Sequence, residues 1–150
     1  MRCAVYASPK RLLLAAAGLF VLLMAAPASA QHYEVTETTV KDLHTGLTWQ
    51  RNIETTLRSF AEAKAYCETL TLSGGGWRLP ALKELLTLVD LTHADPAIDV
   101  QAFPGAMSLG LWSASAYLGA ATNHAWFVHF LRGVSGHEAV EIGYLARCVR

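Results

Sequence analysis

Charge of one sign is missing from this chain. Its 150 residues carry 12 Lys and Arg against 12 Asp and Glu. No basic excess exists to gather phosphates, which excludes a general electrostatic nucleic-acid binder. Charge is sparse altogether, at 16%, while 53% of residues are apolar; a chain this apolar collapses, so disorder is excluded too. Neither G-x-G-x-x-G nor a P-loop lysine accompanies Gly74-Gly75-Gly76, and the run reads as a helix stop rather than a phosphate cradle. Ser135, in Gly133-Val134-Ser135-Gly136-His137, lacks the G-x-S-x-G elbow of a serine nucleophile and reads as part of a hairpin turn. The six histidines form no H-x3-H pattern, which leaves zinc little support. There are no internal repeats, low-complexity tracts or interdomain linkers, and the length suits one core.

What the chain does have begins with a leader. Arg2, Lys10 and Arg11 are the only charges in residues 1–30, residues 12–26 are a charge-free apolar run, and Pro27-Ala28-Ser29-Ala30 follows. A basic segment, a short apolar core and an A-x-A site are the three parts of a secretory signal peptide; a spanning helix needs about 20 apolar residues. The expected organisation is a signal at 1–30 and a single domain at 31–150, exported to the periplasm or beyond and not membrane-spanning after cleavage. The mature chain keeps 9 Lys and Arg against 12 Asp and Glu, a net charge of −3. Cys3 leaves with the signal. Cys67 and Cys148 remain, an even pair that in an exported protein reads as a disulfide. A thiol nucleophile is excluded on the same ground.

Residues 33–40 are rich in β-branched side chains and predict a strand; Asp42 to Gly46 is a turn, and residues 47–50 complete an N-terminal hairpin. Ser59-Phe60-Ala61-Glu62 is a capping box opening a helix over about 60–71, with Cys67 on its apolar stripe. Leu82, Leu85, Leu86 and Val89 predict a second helix over 81–90, with Ala81 at its start. A loop over 91–110 then leads to strands at 111–117, 124–131 and 144–149. Helices gathered between strands, without βαβ alternation, make the class α+β with an antiparallel C-terminal part.

Two groups could carry chemistry. Asp90, His93, Asp95 and Asp99 place four ligand-type side chains within ten residues, and carboxylates in an irregular loop suit Ca²⁺. Their spacing fits no EF-hand, and Asp95-Pro96 is a turn signal, so a structural loop is the stronger reading. Trp49, Trp77, Trp112 and Trp126 could stack on a sugar or peptide. Strand alternation places Trp126 with Val128 and Phe130 on a core face, and Trp112, directly after the glycine-containing loop, is the ligand-binding candidate. No catalytic residue and no cofactor is assigned.

The landmarks form an ordered series: Thr45-Gly46-Leu47-Thr48-Trp49-Gln50, Ala65-Tyr66-Cys67, Trp77-Arg78-Leu79-Pro80, Leu88-Val89-Asp90, Phe103-Pro104, Trp112-Ser113-Ala114-Ser115, Ala125-Trp126 and Arg147-Cys148-Val149-Arg150. The series resembles the Lcl C-terminal domain family of bacterial proteins, named after a collagen-like adhesin. That resemblance implies a C-type-lectin-like fold, similar to that of formylglycine-generating enzymes, with a helix cysteine bonded to one on the last strand. The sugar-binding E-P-N, Q-P-D and W-N-D motifs of calcium-dependent lectins are absent, as is the cysteine and metal site of formylglycine generation. Relatives often read L-P-T where this chain has Leu79-Pro80-Ala81. The function implied is an exported, non-enzymatic recognition or adhesion domain whose ligand is a surface polysaccharide or an envelope protein. The alternatives are a structural envelope module without a small ligand and an enzyme built on the acidic loop from Asp90 to Asp99.

Overall fold

The computed structural model describes residues 32–150; the expected signal sequence and its cleavage site lie outside them. The chain opens with three short antiparallel strands, β1 (Tyr33–Val35), β2 (Thr39–Asp42) and β3 (Thr48–Gln50), in the order β1-β2-β3. The continuous strand expected over 33–40 is therefore broken. Thr36 causes the break: its hydroxyl accepts from the Thr39 amide at 2.9 Å and its own amide donates to the Thr39 carbonyl at 2.9 Å, a local turn that competes with extension. The β2–β3 turn forms as expected, with the Asp42 carboxylate accepting from the His44 amide at 2.8 Å and Gly46 at φ +75°.

Helix α1 (Phe60–Thr69) carries the expected capping box, Glu62 accepting from the Ser59 amide at 2.9 Å. Ala63 and Cys67 are its buried residues. A single 3₁₀ turn, Leu72–Gly74, follows it. Helix α2 (Leu82–Leu86) is half the expected length. Past it the amides of Leu88 and Val89 bond three residues back, to Leu85 and Leu86, and Asp90 turns away to the Ala97 carbonyl. Of the expected stripe only Leu85 is fully buried; Leu82 and Val89 pack partly buried against the core, Leu86 is exposed and Leu88 is buried in its place. The second half winds too tightly to continue as α-helix.

The second sheet holds β4 (Gly110–Ala116), β5 (His124–His129) and β6 (Val134–Ala139), antiparallel in that order. Strand β6 corrects the reading of Ser135 as a turn residue. The reversal occurs earlier, with the Gly133 amide bonded to His129 at 3.0 Å and Gly133 at φ +70°, and Ser135 pairs with Val128 inside the ladder.

The expected strand at 144–149 is also corrected. This segment forms isolated bridges, Tyr144 to Arg58, Leu145 to Leu111, and Val149 to both Trp49 and Arg78. Each neighbour runs beside it for a residue or two, too short for a ladder, yet together they tie both sheets and both helix-flanking segments to one thread. Gly110 permits the close approach of this thread, since a Cβ there would lie 2.5 Å from the Tyr144 ring.

Two cores flank the thread. Leu145 and Val149 join Val40, Trp49, Leu85, Ile98, Phe103, Val128 and Phe130 in one; Ala146 and Cys148 join Ala63, Cys67, Trp77, Leu79 and Trp112 in the other. Cys67 and Cys148 are disulfide-bonded, with Cα atoms 5.4 Å apart, so α1 is pinned to the thread. Between them Arg147 is buried, its Nη1 donating to the Gln50 and Arg51 carbonyls.

Candidate functional site

Of the four tryptophans, three belong to the cores. Trp49 and Trp112 are 0% exposed and Trp77 is 3% exposed. Trp112 is enclosed by Phe60, Phe127 and Tyr144 and donates its indole N–H to the Arg58 carbonyl at 2.9 Å. It presents no face to a ligand, which corrects its selection as the binding candidate. The glycine-containing loop that precedes it does not open a cleft over the ring; Tyr144 closes it.

Trp126 is the tryptophan that reaches the surface. It lies on β5 opposite His137 of β6, which fixes both side chains to one face of the sheet. Tyr117, just past β4, covers His137 with its ring parallel at 3.7 Å and meets Trp126 edge-on at 5.5 Å. His124 completes the group through an Nδ1-to-Nδ1 contact with His137 at 3.1 Å, which requires one ring to donate and the other to accept. All four side chains are half-buried. At the rim, Asn123 donates to Glu141 at 2.6 Å. The result is a patch of π faces bordered by amide, carboxylate and imidazole groups. Nothing in the sequence around Trp126 marks it as exposed, because its strand neighbours Val128 and Phe130 are buried; its pairing with His137 is a tertiary fact.

A second region gathers around Tyr33. Two cavities, of about 490 and 260 Å³, flank it and share His32, Tyr33 and Asp99 in their walls; Asp90 lines the larger one. The Tyr33 ring stands edge-on against Phe103 at 5.4 Å. Burial first, then the nearby charges of Asp42, Asp99 and Asp90, push its phenol up to about 12, so it stays a neutral donor in acidic surroundings. Asp42 ends β2 opposite Tyr33. Burial of its carboxyl opposes ionisation. Hydrogen bonds from the Thr45 hydroxyl and the His44 and Thr45 amides, with His32 nearby, outweigh that effect and hold it below the ordinary carboxylate range.

The loop residues chosen from sequence separate into two roles. Asp90 accepts from the Thr92 hydroxyl at 2.6 Å and from its amide at 2.9 Å, and meets His93 Nδ1 at 2.9 Å; these bonds, led by the Thr92 hydroxyl, lower its carboxyl below the usual value. Asp99 accepts from the Gln101 and Ala102 amides at 2.8 and 3.1 Å. Asp95 faces the Ser108 hydroxyl instead. The loop is a network of turn caps. Among the described residues the set of His, Cys, Asp or Glu atoms brought within coordinating reach of one another is His32, Asp42 and His44, not Asp90, His93, Asp95 and Asp99.

Among the described residues no helix is long and apolar enough to cross a membrane. A family model described as the Lcl C-terminal domain matches residues 38–150, from β2 to the Arg147-Cys148-Val149-Arg150 series. No curated protein matches the chain. With that match spanning most of its length, the chain belongs to the Lcl C-terminal domain family.

Proposed function

We propose that this member of the Lcl C-terminal domain family is an exported, non-enzymatic recognition domain on a C-type-lectin-like scaffold, and that it takes a glycan at the Trp126 end of β4-β5-β6. The observation that carries the reading is the half-exposed Trp126 set among Tyr117, His124 and His137. Sugars present apolar C–H faces and a rim of hydroxyls. Aromatic faces supply area at low conformational cost, and a few bordering polar groups fix orientation. Asn123, Glu141 and the two imidazoles stand where ring hydroxyls would fall. Export follows from the leader of residues 1–30 and suits the disulfide.

The test is a glycan array with the exported protein, with and without EDTA, followed by calorimetry on the strongest binder. Trp126→Ala should weaken binding at least tenfold while leaving the melting temperature within a few degrees, because the side chain is outside both buried clusters. Equal binding by Trp126→Ala across the panel would overturn the reading.

A protein partner in the envelope is the second reading. The hollow of about 290 Å³ lined by Phe127, His129, Leu131 and Val134 favours it, since Leu131 and Val134 are 41% and 58% exposed there. Crosslinking that captures an envelope protein through this hollow, with an empty glycan array, would select it.

A further inference from the structure

We infer that His32, Asp42 and His44 bind one divalent transition-metal ion of the zinc class. The pairing of β1 with β2 continues one step beyond the strands, the Leu43 amide donating to the His32 carbonyl at 3.0 Å, and this sets His32 beside the β2–β3 turn. The turn itself fixes the other two ligands, because Asp42 and His44 are joined by the 2.8 Å amide-to-carboxylate bond that forms it. One coordinating atom from each residue lies within 4.8 Å of the others.

The distances are longer than those of ordinary hydrogen bonds. His32 Nε2 and His44 Nδ1 stand 3.3 and 3.9 Å from the same oxygen, Asp42 Oδ1. Ordinary N–H···O bonds span about 2.7–3.2 Å. Ligands held at about 2.0–2.1 Å around a tetrahedral ion are instead about 3.3–3.4 Å apart. The first contact already has that length, and the second reaches it by turning His44, whose side chain is 66% exposed. The two imidazoles lie side by side, ring centroids 4.3 Å apart and tilted by 33°.

The carboxylate is prepared for the role. Asp42 is 0% exposed, and its other oxygen, Oδ2, accepts from the Thr45 hydroxyl at 2.7 Å, an outer-sphere bond that fixes the plane of the ligand. Two nitrogens and one oxygen suit zinc, copper or nickel, and disfavour calcium and magnesium, which take oxygen. Three protein ligands leave a position for water or a ligand group. His32 also lines both cavities beside Tyr33, so the ion shapes the wall of that groove. Sequence hides the site: spacings of ten and two residues match no zinc motif, and the strand register supplies the proximity. The inference is independent of the glycan reading, whose residues lie on the other sheet.

The experiment uses the exported protein purified without a histidine tag, stripped with chelator and titrated with Zn²⁺ against a chromogenic competitor. One equivalent should bind. His32→Gln and His44→Gln should each lower affinity at least tenfold, and the double variant should take up none at the site, with apo-protein melting unchanged. Co²⁺ should give the intense visible band of a tetrahedral site, lost in His44→Gln, and Ca²⁺ should not displace it. Absence of saturable Zn²⁺ binding would overturn the inference, as would undiminished binding by the double variant. Loss of binding on replacing His124 and His137 instead would place the ion on the second sheet and overturn it equally.

Discussion

The guanidinium carbon of Arg147 sits 4.7 Å from the ring centroid of Phe103, and the cation is 1% exposed. Its Nη1 donates to the Gln50 carbonyl at 2.6 Å and the Arg51 carbonyl at 2.8 Å. The structure records no ion pair for it among the described residues. Burial pulls it down to about 10, which still leaves it charged at neutral pH. Two backbone carbonyls and a π face stabilise this cation where a carboxylate would ordinarily do so, while its buried Nε has no hydrogen-bond partner among the described residues. The carbonyls it serves are those where β3 ends.

Arg147→Ala should consequently lower unfolding stability by about 3 kcal/mol, since two carbonyls lose a charged donor and a cavity opens. Arg147→Lys keeps a donor but loses the planar stack, and about half of that loss should remain. Urea titration of the two variants checks both values.

Cys148→Ser should cost more. The disulfide closes a loop of 81 residues, for which the chain-entropy relation gives about 4 to 5 kcal/mol. Denaturation with and without reductant should show the same fall for the native protein as substitution does. Two titratable thiols in the native, unreduced protein would contradict the bond.

Ala81→Thr should stabilise. The N-cap of α2 has no side-chain acceptor, and the first amide of the helix, Leu82, is served from β4 by the Ser115 hydroxyl at 3.0 Å. Glu84 already accepts from the Ala81 amide at 2.8 Å, so a hydroxyl at 81 completes a capping box. The gain should be about 1 kcal/mol, read as a rise of a few degrees in melting temperature. A fall in melting temperature would show that the site cannot admit the larger side chain.

Acid should destabilise the fold in a defined window. Glu84 is held below its ordinary value of 4.5, first by the hydrogen bonds from Arg78, both at 2.7 Å. Asp42 lies below its ordinary 3.8 despite the opposing effect of burial. A carboxyl depressed in the folded state contributes stability above its unfolded value, and that contribution is lost as pH falls through the folded one. The urea midpoint should therefore show little carboxylate-linked change from pH 7 to about 5 and drop below about 4. Glu84→Gln should be less stable at pH 7, with the gap closing in acid.

Local signals made part of this molecule readable from its sequence. The capping box at Ser59 and Glu62, the apolar spacing that buries Cys67, and the turn at Asp42 to Gly46 all depend on neighbours within a few residues, and all form. Strand β6 was hidden because Ser135, Gly136, His137 and Glu138 carry no apolar alternation; their place is set by pairing with β5, and Gly136 leaves room for the Phe127 ring. The thread at 144–149 has strand composition but too many partners to be a strand. Both candidate sites depend on pairing between segments separated in sequence. Trp126 meets His137, and His32 meets Asp42, only through register between strands.

The thread also bears on when the cores can be completed. Residues 40–130 supply most of both cores, yet Leu145, Ala146, Cys148 and Val149 stand in the middle of them. A growing chain that has not yet delivered these residues lacks part of each core and the partner of Cys67. Both cores are complete only once residues 145–149 are in place. Under the export proposed above, the chain would cross as an extended polypeptide and close both cores where its cysteines are oxidised.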